Sequence, residues 1–379
     1  MEIVGIICEY NPLHLGHAGQ IRRIRQTLGR DTAVVCLMSG SFVQRGAPAV
    51  YPKSVRAAAA LQAGADLVLE LPVTYALSSA EGFAMGGVEI LSRLCTRLCF
   101  GAECGSEDAL MSLARGLLSP GFPSALRTFL DQGLSFPAAR QQALHALGLD
   151  AGLLSSPNNI LGVEYCKAIL KLGCAMSPLV IHRPGDYHAQ TADPCAPSAT
   201  ALRRMVVQGQ SIRSYVPTEL FQNAPVHTLA AGERAILARL RTMSEEEFSV
   251  LPYGGEGLWR KLMHESRRQP DLESILAAVK SKRYTRTRLD RMVMCAFLGI
   301  DQQTMSVPAP YARILGFDRR GRELLALTRK SGFFLNVGTR IDHPYWLLEQ
   351  RCADLYGLFA VNGPEPAGSE PNQRIIYQK

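Results

Sequence analysis

Short, continuous apolar runs alternate with amphipathic stretches along the first half of the chain. The runs lie at 3–8, 32–38, 66–72, 96–100 and 178–183, and an uninterrupted run of this length is typical of a strand covered on both faces. Helical periodicity fills intervals at 17–28, 53–63 and 78–93. Because strands and helices that alternate at this spacing form βαβ units, the sequence predicts an α/β fold with a doubly wound parallel sheet.

The remainder of the chain is dominated by helical periodicity. This periodicity is present in 107–175 and again in "PSATALRRMVVQG" after the last strand, so we expect the α/β domain to span 1–215. Residues 216–365 carry mainly helical patterns, such as "LESILAAVKSK". Residues 366–379 are rich in proline, glycine and polar residues, which is typical of a flexible tail. The sequence therefore predicts an α/β domain, a mainly helical domain and a flexible tail.

The composition is that of a globular protein with a basic surplus. The chain has 379 residues, of which 47% are hydrophobic, and 41 Lys and Arg against 33 Asp and Glu give a net charge of +8. This surplus favours a polyanionic partner such as nucleic acid, although a basic soluble enzyme explains it equally well. The run at 3–8 follows Glu2 and is too short for a signal peptide or a membrane span. We expect a cytoplasmic protein with no membrane partner.

The cysteines are expected to be reduced thiols, mostly buried. Cys95, Cys99 and Cys104 are close enough in sequence to suggest a metal. None of them forms a CxxC pair, and no histidine is nearby. The sequence therefore favours a protein without a metal site.

Two histidines flank a glycine between the first predicted strand and the first predicted helix, in "NPLHLGH". Ligands of open parallel sheets bind at the carboxyl ends of strands, and a helix N-terminus offers free N–H groups and a positive dipole end to anions. Gly16 lets the backbone approach a phosphate, and His14 and His17 can donate hydrogen bonds to phosphoryl oxygens. The stretch predicts a nucleotide-phosphate site. Half of a metal site and a purely structural histidine pair are the alternatives.

This stretch resembles the HxGH signature of the class I nucleotidyltransferase superfamily. Its members use a Rossmann-like domain for attack on the α-phosphate of ATP and release pyrophosphate. They also carry a later ISxTxxR signature at a helix start, which "PSATALRR" matches at Ser198, Thr200 and Arg203. Hydroxyls and a guanidinium there suit the β- and γ-phosphates. By itself, this second stretch could be an ordinary helix cap.

Longer blocks are similar to one family, the tRNA(Met) cytidine acetate ligases. In chain order they are "EYNPLHLGH", "MSGSFVQRGAPAV", "ALQAGADLVLELP", "FGAECG", "PNNILGVEY" and "RPGDYH", with weaker similarity in "SKRYTRTRLDR" and "YARILGF". The chain departs from the family at Leu13 and Leu15, where Phe and Asn are usual. The glycine and both histidines of the signature remain, so the resemblance still implies a nucleotide site.

The resemblance implies a two-step ligase reaction. Acetate attacks the α-phosphorus of ATP, with Mg²⁺ bridging the phosphates, and gives acetyl-AMP and pyrophosphate. The exocyclic amine of the wobble cytidine of elongator tRNA(Met) then attacks the acetyl group and forms N4-acetylcytidine. His14 and His17 would be catalytic. The implied ATP-binding residues are Ile7, Cys8, Glu9, Tyr10, Asn11, Pro12, Leu13, His14, Leu15, Gly16, His17, Ala18, Gly19, Gln20, Gly101, Asn158, Asn159, Arg183, Ser198, Thr200 and Arg203.

A basic stretch in the helical domain is the candidate RNA-binding surface. The stretch at 281–291 combines several cations with one aromatic ring, a combination that suits phosphate contact and base stacking. A solvated helix face is the alternative. The candidate tRNA-binding residues are Lys282, Arg283, Tyr284, Arg286 and Arg288.

Two other functions are compatible with the nucleotide signature. One is an adenylyltransferase that acts on a small phosphorylated metabolite, such as pantetheine phosphate or nicotinamide mononucleotide. Such enzymes are usually much shorter, and the basic helical region would then lack a purpose. The other is a nucleotide-sensing or RNA-binding protein without activity, for which a missing signature histidine would be expected.

Overall fold

A mostly parallel sheet organises the protein, as the apolar runs predict. The computed structural model describes residues 2–103, 105–182 and 198–379. The strands are β1 Ile3–Cys8, β2 Ala33–Ser39, β3 Phe42–Val43, β4 Ala47–Pro48, β5 Leu67–Leu71, β6 Arg97–Ala102, β7 Ser177–His182, β8 Ala312–Phe317, β9 Phe334–Asn336 and β10 Ile376–Tyr377. The described residues form an eight-stranded sheet in the order β10-β8-β5-β2-β1-β6-β7, with β9 paired to β8. The short β3 and β4 form a separate antiparallel hairpin.

Helices cover both faces of this sheet and build a second body beside it. The helices are α1 Leu15–Leu28, α2 Lys53–Gln62, α3 Val73–Ala76, α4 Ala80–Leu91, α5 Glu107–Leu118, α6 Phe122–Asp131, α7 Phe136–Ala146, α8 Pro157–Leu172, α9 Ala199–Val207, α10 Leu229–Thr242, α11 Glu245–Ser249, α12 Leu258–Arg268, α13 Leu272–Val279, α14 Arg286–Leu298, α15 Gln302–Ser306, α16 Arg319–Thr328 and α17 Pro344–Tyr356. Among the described residues, no helix is both long and apolar enough to cross a bilayer.

Successive residues of the central strands pack into opposite cores. Val35 and Leu37 of β2 join the core beneath α4, α5 and α8, whereas Val34 and Cys36 join the core with residues of α1, α2 and α9. Both faces of the strand are therefore buried, which is why its sequence is a continuous apolar run. The predicted doubly wound α/β fold is confirmed.

Residues beyond α9 form the predicted helical body, and they also complete the sheet. Helices α10, α12, α13, α14 and α17 share an apolar core with Phe42 of the hairpin. Strand β8, however, pairs antiparallel with β5, although the sequence predicted only helix-rich structure for 216–365. The antiparallel pairing needs no crossover helix, so β8 lies outside the alternating pattern. The range 216–365 for a separate helical domain remains a prediction.

The C-terminal residues differ from the flexible tail expected for 366–379. Strand β10 pairs in parallel with β8, and Glu370 is only 1% exposed. The Glu370 carboxylate contacts the Lys53 ammonium, with Nζ and Oε1 2.8 Å apart. Glu370 is ordered by its contact with a buried cation, and the composition of the segment does not reveal that contact.

Lys53 neutralises two buried carboxylates at once. Its Nζ also lies 2.9 Å from Oε2 of Glu70, at the end of β5. Burial raises the pKa of Glu70 to about 7, and the neighbouring Glu370 adds to the shift, which Lys53 opposes. Protonation of Glu70 near neutral pH is therefore easier in the folded protein than in the unfolded chain.

This raised pKa predicts a pH-dependent stability. Between the unfolded pKa of Glu70 and about 7, the folded state binds more protons, so its free energy of unfolding should fall as pH rises. We expect Glu70 to contribute a fall of about 2–3 kcal/mol between pH 5 and pH 8. Glu70→Gln should remove this contribution. Urea unfolding of both proteins at the two pH values measures it, and parallel pH dependences would contradict the expectation.

Candidate functional site

A cavity of about 500 Å³ opens at the carboxyl ends of β1, β6 and β7. The wall comes from the β1–α1 connection, the β3–β4 hairpin, the end of β6, and the beginnings of α8 and α9. This is the edge where open parallel sheets bind ligands, and the volume is that of a small-molecule site. The cavity therefore lies where the sequence predicted a nucleotide.

The two signature histidines lock the start of α1. His14 is the N-cap, and its Nδ1 accepts a hydrogen bond from the Gly16 N–H at 3.1 Å. The Nδ1 of His17 accepts from the His14 N–H at 3.3 Å. The rings stack with centroids 3.8 Å apart. Because Nδ1 is an acceptor in both rings, the proton of each neutral imidazole lies on Nε2. Both residues line the cavity, so they can offer Nε2–H donors to a phosphate.

A second helix N-terminus meets the same cavity. Ser198 caps α9, with its Oγ accepting from the Ala201 N–H at 3.1 Å. The guanidinium of Arg203 donates to the Thr200 hydroxyl at 3.1 Å and to the Asn11 carbonyl at 2.8 Å. Arg203 thereby ties α9 to the loop before α1. Two positive helix ends and a guanidinium converge on one space, an arrangement that favours a polyphosphate.

The end of β6 is held by two asparagines with different roles. Asn158 lines the cavity together with Gly101, and its Nδ2 donates to Glu103 Oε1 at 2.7 Å. Asn159 is fully buried, and its Oδ1 accepts from the Glu103 N–H at 3.0 Å. The geometry therefore assigns Asn158 to the cavity wall and Asn159 to its support.

The cavity gathers most, but not all, of the residues predicted for ATP. Pro12, Leu13, Ala18 and Asn159 do not line it. Leu13 packs into the core beneath α1 instead, and Ala18 is buried on α1. Arg183 lies outside the described residues, as does Cys104 of the cysteine group. The cavity is lined by Ile7, Cys8, Glu9, Tyr10, Asn11, His14, Leu15, Gly16, His17, Gly19, Gln20, Gly101, Asn158, Ser198, Thr200 and Arg203.

The hairpin side of the cavity was not predicted. Residues Val43, Gln44, Arg45, Ala47 and Pro48 line it. The hairpin turn depends on a glycine. Gly46 has φ of +74°, which glycine adopts without strain. A Cβ there would collide with the backbone of Asp290 and Arg291, so α14 lies directly against the turn. That long-range contact has no signature in the local sequence.

One buried arginine holds the strand ends around the cavity. Arg56 is fully buried, and its Nη1 donates to the carbonyls of Glu9 at 2.7 Å and Ser39 at 2.9 Å. Its other nitrogens bond the carbonyls of Tyr51 and Gly40. Burial lowers the pKa of Arg56, since desolvation disfavours its charge. Arg56 connects the ends of β1 and β2 to the loop before α2, so it holds the backbone on either side of the hairpin in place.

The charges on the described cavity wall favour an anionic ligand. Burial raises the pKa of Cys8, Tyr10 and Tyr165 above their usual values, so all three are neutral at pH 7. The charged side chains of the described wall, apart from histidine, are Arg23, Arg45, Arg203, Glu9 and Glu103. Within the described ranges, no cluster of three metal-binding side chains is present. The wall therefore suits phosphates better than a directly bound metal ion.

The candidate RNA-binding residues lie at the start of α14 and in the turn before it. Lys282 and Arg283 are exposed, and Arg283 pairs with Glu256 at 3.0 Å. Arg288 stacks over the Tyr284 ring at 4.8 Å. Arg286 is bound by the carboxylates of Glu273 and Asp290, so its charge is largely neutralised within the protein. Helix α14 also contacts the cavity wall. Arg291 of this helix donates a hydrogen bond from Nη1 to the carbonyl of Gln44 in the hairpin at 3.3 Å.

Comparison with known proteins identifies the family of this chain. The HIGH nucleotidyl transferase family model matches residues 1–365. A tRNA(Met) cytidine acetate ligase of Clostridium acetobutylicum is 36% identical over 87% of this chain and 88% of its own. The enzyme of that name from Acetivibrio thermocellus is 33% identical over 99% of this chain and 100% of its own. Thermotoga maritima TmcAL superposes over the full length of both chains with a TM-score of 0.90 at 28% identity, and its form bound with alpha-thio ATP with 0.87.

Proposed function

Because the chain belongs to the HIGH nucleotidyl transferase family, and within it to the tRNA(Met) cytidine acetate ligases, we propose that it acetylates a cytidine of tRNA(Met) with ATP-activated acetate. The observation that carries this proposal is the stacked His14–His17 pair at the start of α1. The pair lies in a cavity that two helix N-termini and the Arg203 guanidinium also line. Its substrates, ATP and tRNA, assign the enzyme to the cytoplasm.

The first step is adenylation of acetate. A carboxylate oxygen attacks the α-phosphorus in line, and the Nε2–H donors of His14 and His17 stabilise the charge that develops on the phosphoryl oxygens. Ser198, Thr200 and Arg203 hold the departing pyrophosphate at the start of α9. Mg²⁺ would be held by the phosphate oxygens of ATP, which are ligands that it prefers, and would neutralise part of their charge. Positioning and charge stabilisation suffice, so the step needs no covalent intermediate with the enzyme.

The second step transfers the acetyl group to the wobble cytidine of elongator tRNA(Met). The exocyclic amine of cytidine is a weak nucleophile because its lone pair is delocalised into the ring. Acetyl-AMP is an activated acyl donor and compensates for this weakness. A base in an anticodon loop is single-stranded, so it can enter the cavity at little energetic cost.

Adenylyl transfer to a small phosphorylated metabolite is not favoured. The relatives that match this chain over nearly its whole length are cytidine acetate ligases. The helical body and its basic surface would also have no role in that reaction.

The decisive experiment supplies the protein with tRNA, MgATP and isotope-labelled acetate, followed by mass spectrometry of the nucleosides. Labelled N4-acetylcytidine that requires both ATP and acetate is the expected result. Acetyl-CoA replaces acetate and ATP in a parallel reaction and should give no product. Absence of the labelled nucleoside with folded protein and intact tRNA would contradict the proposal.

The basic surface at α14 predicts a selective effect on tRNA. Lys282→Ala combined with Arg283→Ala should raise the KM for tRNA by about tenfold, because each lost phosphate contact weakens binding, and should reduce its salt dependence. Acetate-dependent ATP–pyrophosphate exchange measures the adenylation step, which should stay near its normal rate. The matched control is Arg319→Ala with Lys330→Ala, which removes the same charge from an exposed surface at α16. An equal KM for both double variants would contradict the assignment.

A further inference from the structure

The cavity is lined both by the carboxyl ends of β6 and β7 and by the β3–β4 hairpin. The residues proposed for ATP that line the cavity come from the β1–α1 connection, from Gly101 and Asn158, and from the start of α9. Strand β2 lies on the opposite side of β1 from β6, and the hairpin that follows β2 lines that side of the cavity. No hairpin residue belongs to the set proposed for ATP, so the hairpin wall is available to the group that receives the acetyl.

Glu9 lies at the end of β1 and lines this cavity. Its Oε1 accepts a hydrogen bond from the Gln44 N–H of the hairpin at 2.9 Å. Within the described part of the chain, its carboxylate has no other hydrogen bond and no ion pair. Glu103, the other carboxylate on the described wall, has both oxygens occupied by Asn158 and Asn159. Glu9 thus keeps one oxygen available to a ligand.

The position of Glu9 is fixed by two direct contacts, one of which is supported in turn by α14. Arg56 binds its backbone carbonyl at 2.7 Å. Gln44, which holds its carboxylate, is in turn held by Arg291 through its own carbonyl at 3.3 Å. Arg291 belongs to α14, the helix that carries the proposed RNA-binding residues. A cytidine delivered by RNA on α14 would meet a carboxylate that is already oriented by the same helix.

We propose that Glu9 is a catalytic residue of the acetyl-transfer step, which accepts a hydrogen bond from the N4 amine of the target cytidine and then takes its proton. The inference rests on the proposed function. The N4 lone pair forms the new N–C bond at the acetyl carbonyl, the C–O bond to the phosphate breaks, and AMP leaves with that electron pair. The N4 proton moves to Glu9, which releases it to solvent. Carboxylates are suited to this contact, because cytosine N4 presents a donor.

The test isolates this step with chemically prepared acetyl-AMP. Glu9→Gln keeps an oxygen that can accept from the Gln44 N–H but removes the base. In single-turnover reactions with excess enzyme and tRNA(Met), its rate of N4-acetylcytidine formation should fall about 100-fold, since a general base contributes at least that factor. A rate within about threefold of the unsubstituted enzyme would overturn the proposal. If the unsubstituted enzyme makes no product from acetyl-AMP, the proposed function itself fails.

A second measurement separates catalysis from support of the hairpin. Anticodon stem-loops with cytidine or uridine at the target position are compared for binding to both enzymes. The unsubstituted enzyme should prefer cytidine by about tenfold, because the Glu9 carboxylate accepts from its amine and repels the uridine carbonyl oxygen. This preference should largely disappear in Glu9→Gln. Slower transfer with an unchanged preference would assign Glu9 to positioning alone and would also overturn the proposal.

Discussion

Replacing His14 or His17 with alanine is expected to slow acetate-dependent ATP–pyrophosphate exchange by about 100- to 1000-fold. Each substitution removes one preorganised donor from the charge that develops at the α-phosphorus, and such donors contribute this factor in other phosphoryl and acyl transfers. His14 also caps α1, so its loss should lower the free energy of unfolding by about 1 kcal/mol. That loss is too small to unfold a typical domain, so far-ultraviolet circular dichroism of the variants should match that of the unsubstituted protein.

His14→Asn distinguishes the two roles of this residue. Asparagine is a favourable N-cap, so this variant should recover the stability of α1 without recovering exchange. The control is His264→Ala, because the side chain of His264 is 59% exposed in α12 and should affect neither quantity. Exchange above one tenth of the normal rate in either alanine variant would contradict the role of the histidines.

Lys53→Met is expected to lower the free energy of unfolding by about 3–5 kcal/mol at pH 7. The substitution leaves the carboxylates of Glu70 and Glu370 buried without their shared cation, and an uncompensated buried charge costs this amount. The loss should be smaller at pH 5, because the raised pKa of Glu70 lets protonation neutralise its carboxylate there. Urea unfolding at both pH values measures the effect.

The matched control for Lys53 is Lys171→Met. Lys171 also pairs with a glutamate, but its side chain is 41% exposed, and exposed pairs contribute about 0–1 kcal/mol. Equal losses for the two variants would show that the buried ion cluster gives no special stabilisation.

The sequence predicts the parts of the fold whose cause is local. The apolar runs identified β1, β2, β5 and β6 because helices bury most residues of these strands on both faces. The run of β7 was identified as well, although this edge strand is only partly buried. The HxGH stretch identified the start of α1, since capping and phosphate binding depend on adjacent residues. These features require no knowledge of distant segments.

The features that were missed depend on distant partners. The apolar run of β8 occurs among helices, and only its pairing with β5 makes it part of the sheet. Glu370 is buried because of Lys53, which is 317 residues away. The role of the hairpin follows from the contact of Gly46 with α14. Asn158 and Asn159 are adjacent and chemically identical, and only the direction of each on α8 separates their roles.

Strand β8 is synthesised long after β5, the strand with which it pairs, and this order affects folding during translation. Until β8 leaves the ribosome, the edge of β5 has no strand to pair with, and an unpaired edge can associate with other chains.

The ion cluster of Lys53 is also completed late. At about 5–20 residues per second, the 317 residues between Lys53 and Glu370 take roughly 15–60 seconds to synthesise. During that time Lys53 is on a nascent chain without its second carboxylate. Translation speed and chaperones that shield strand edges therefore influence the yield of this enzyme, even though the catalytic signature is synthesised first.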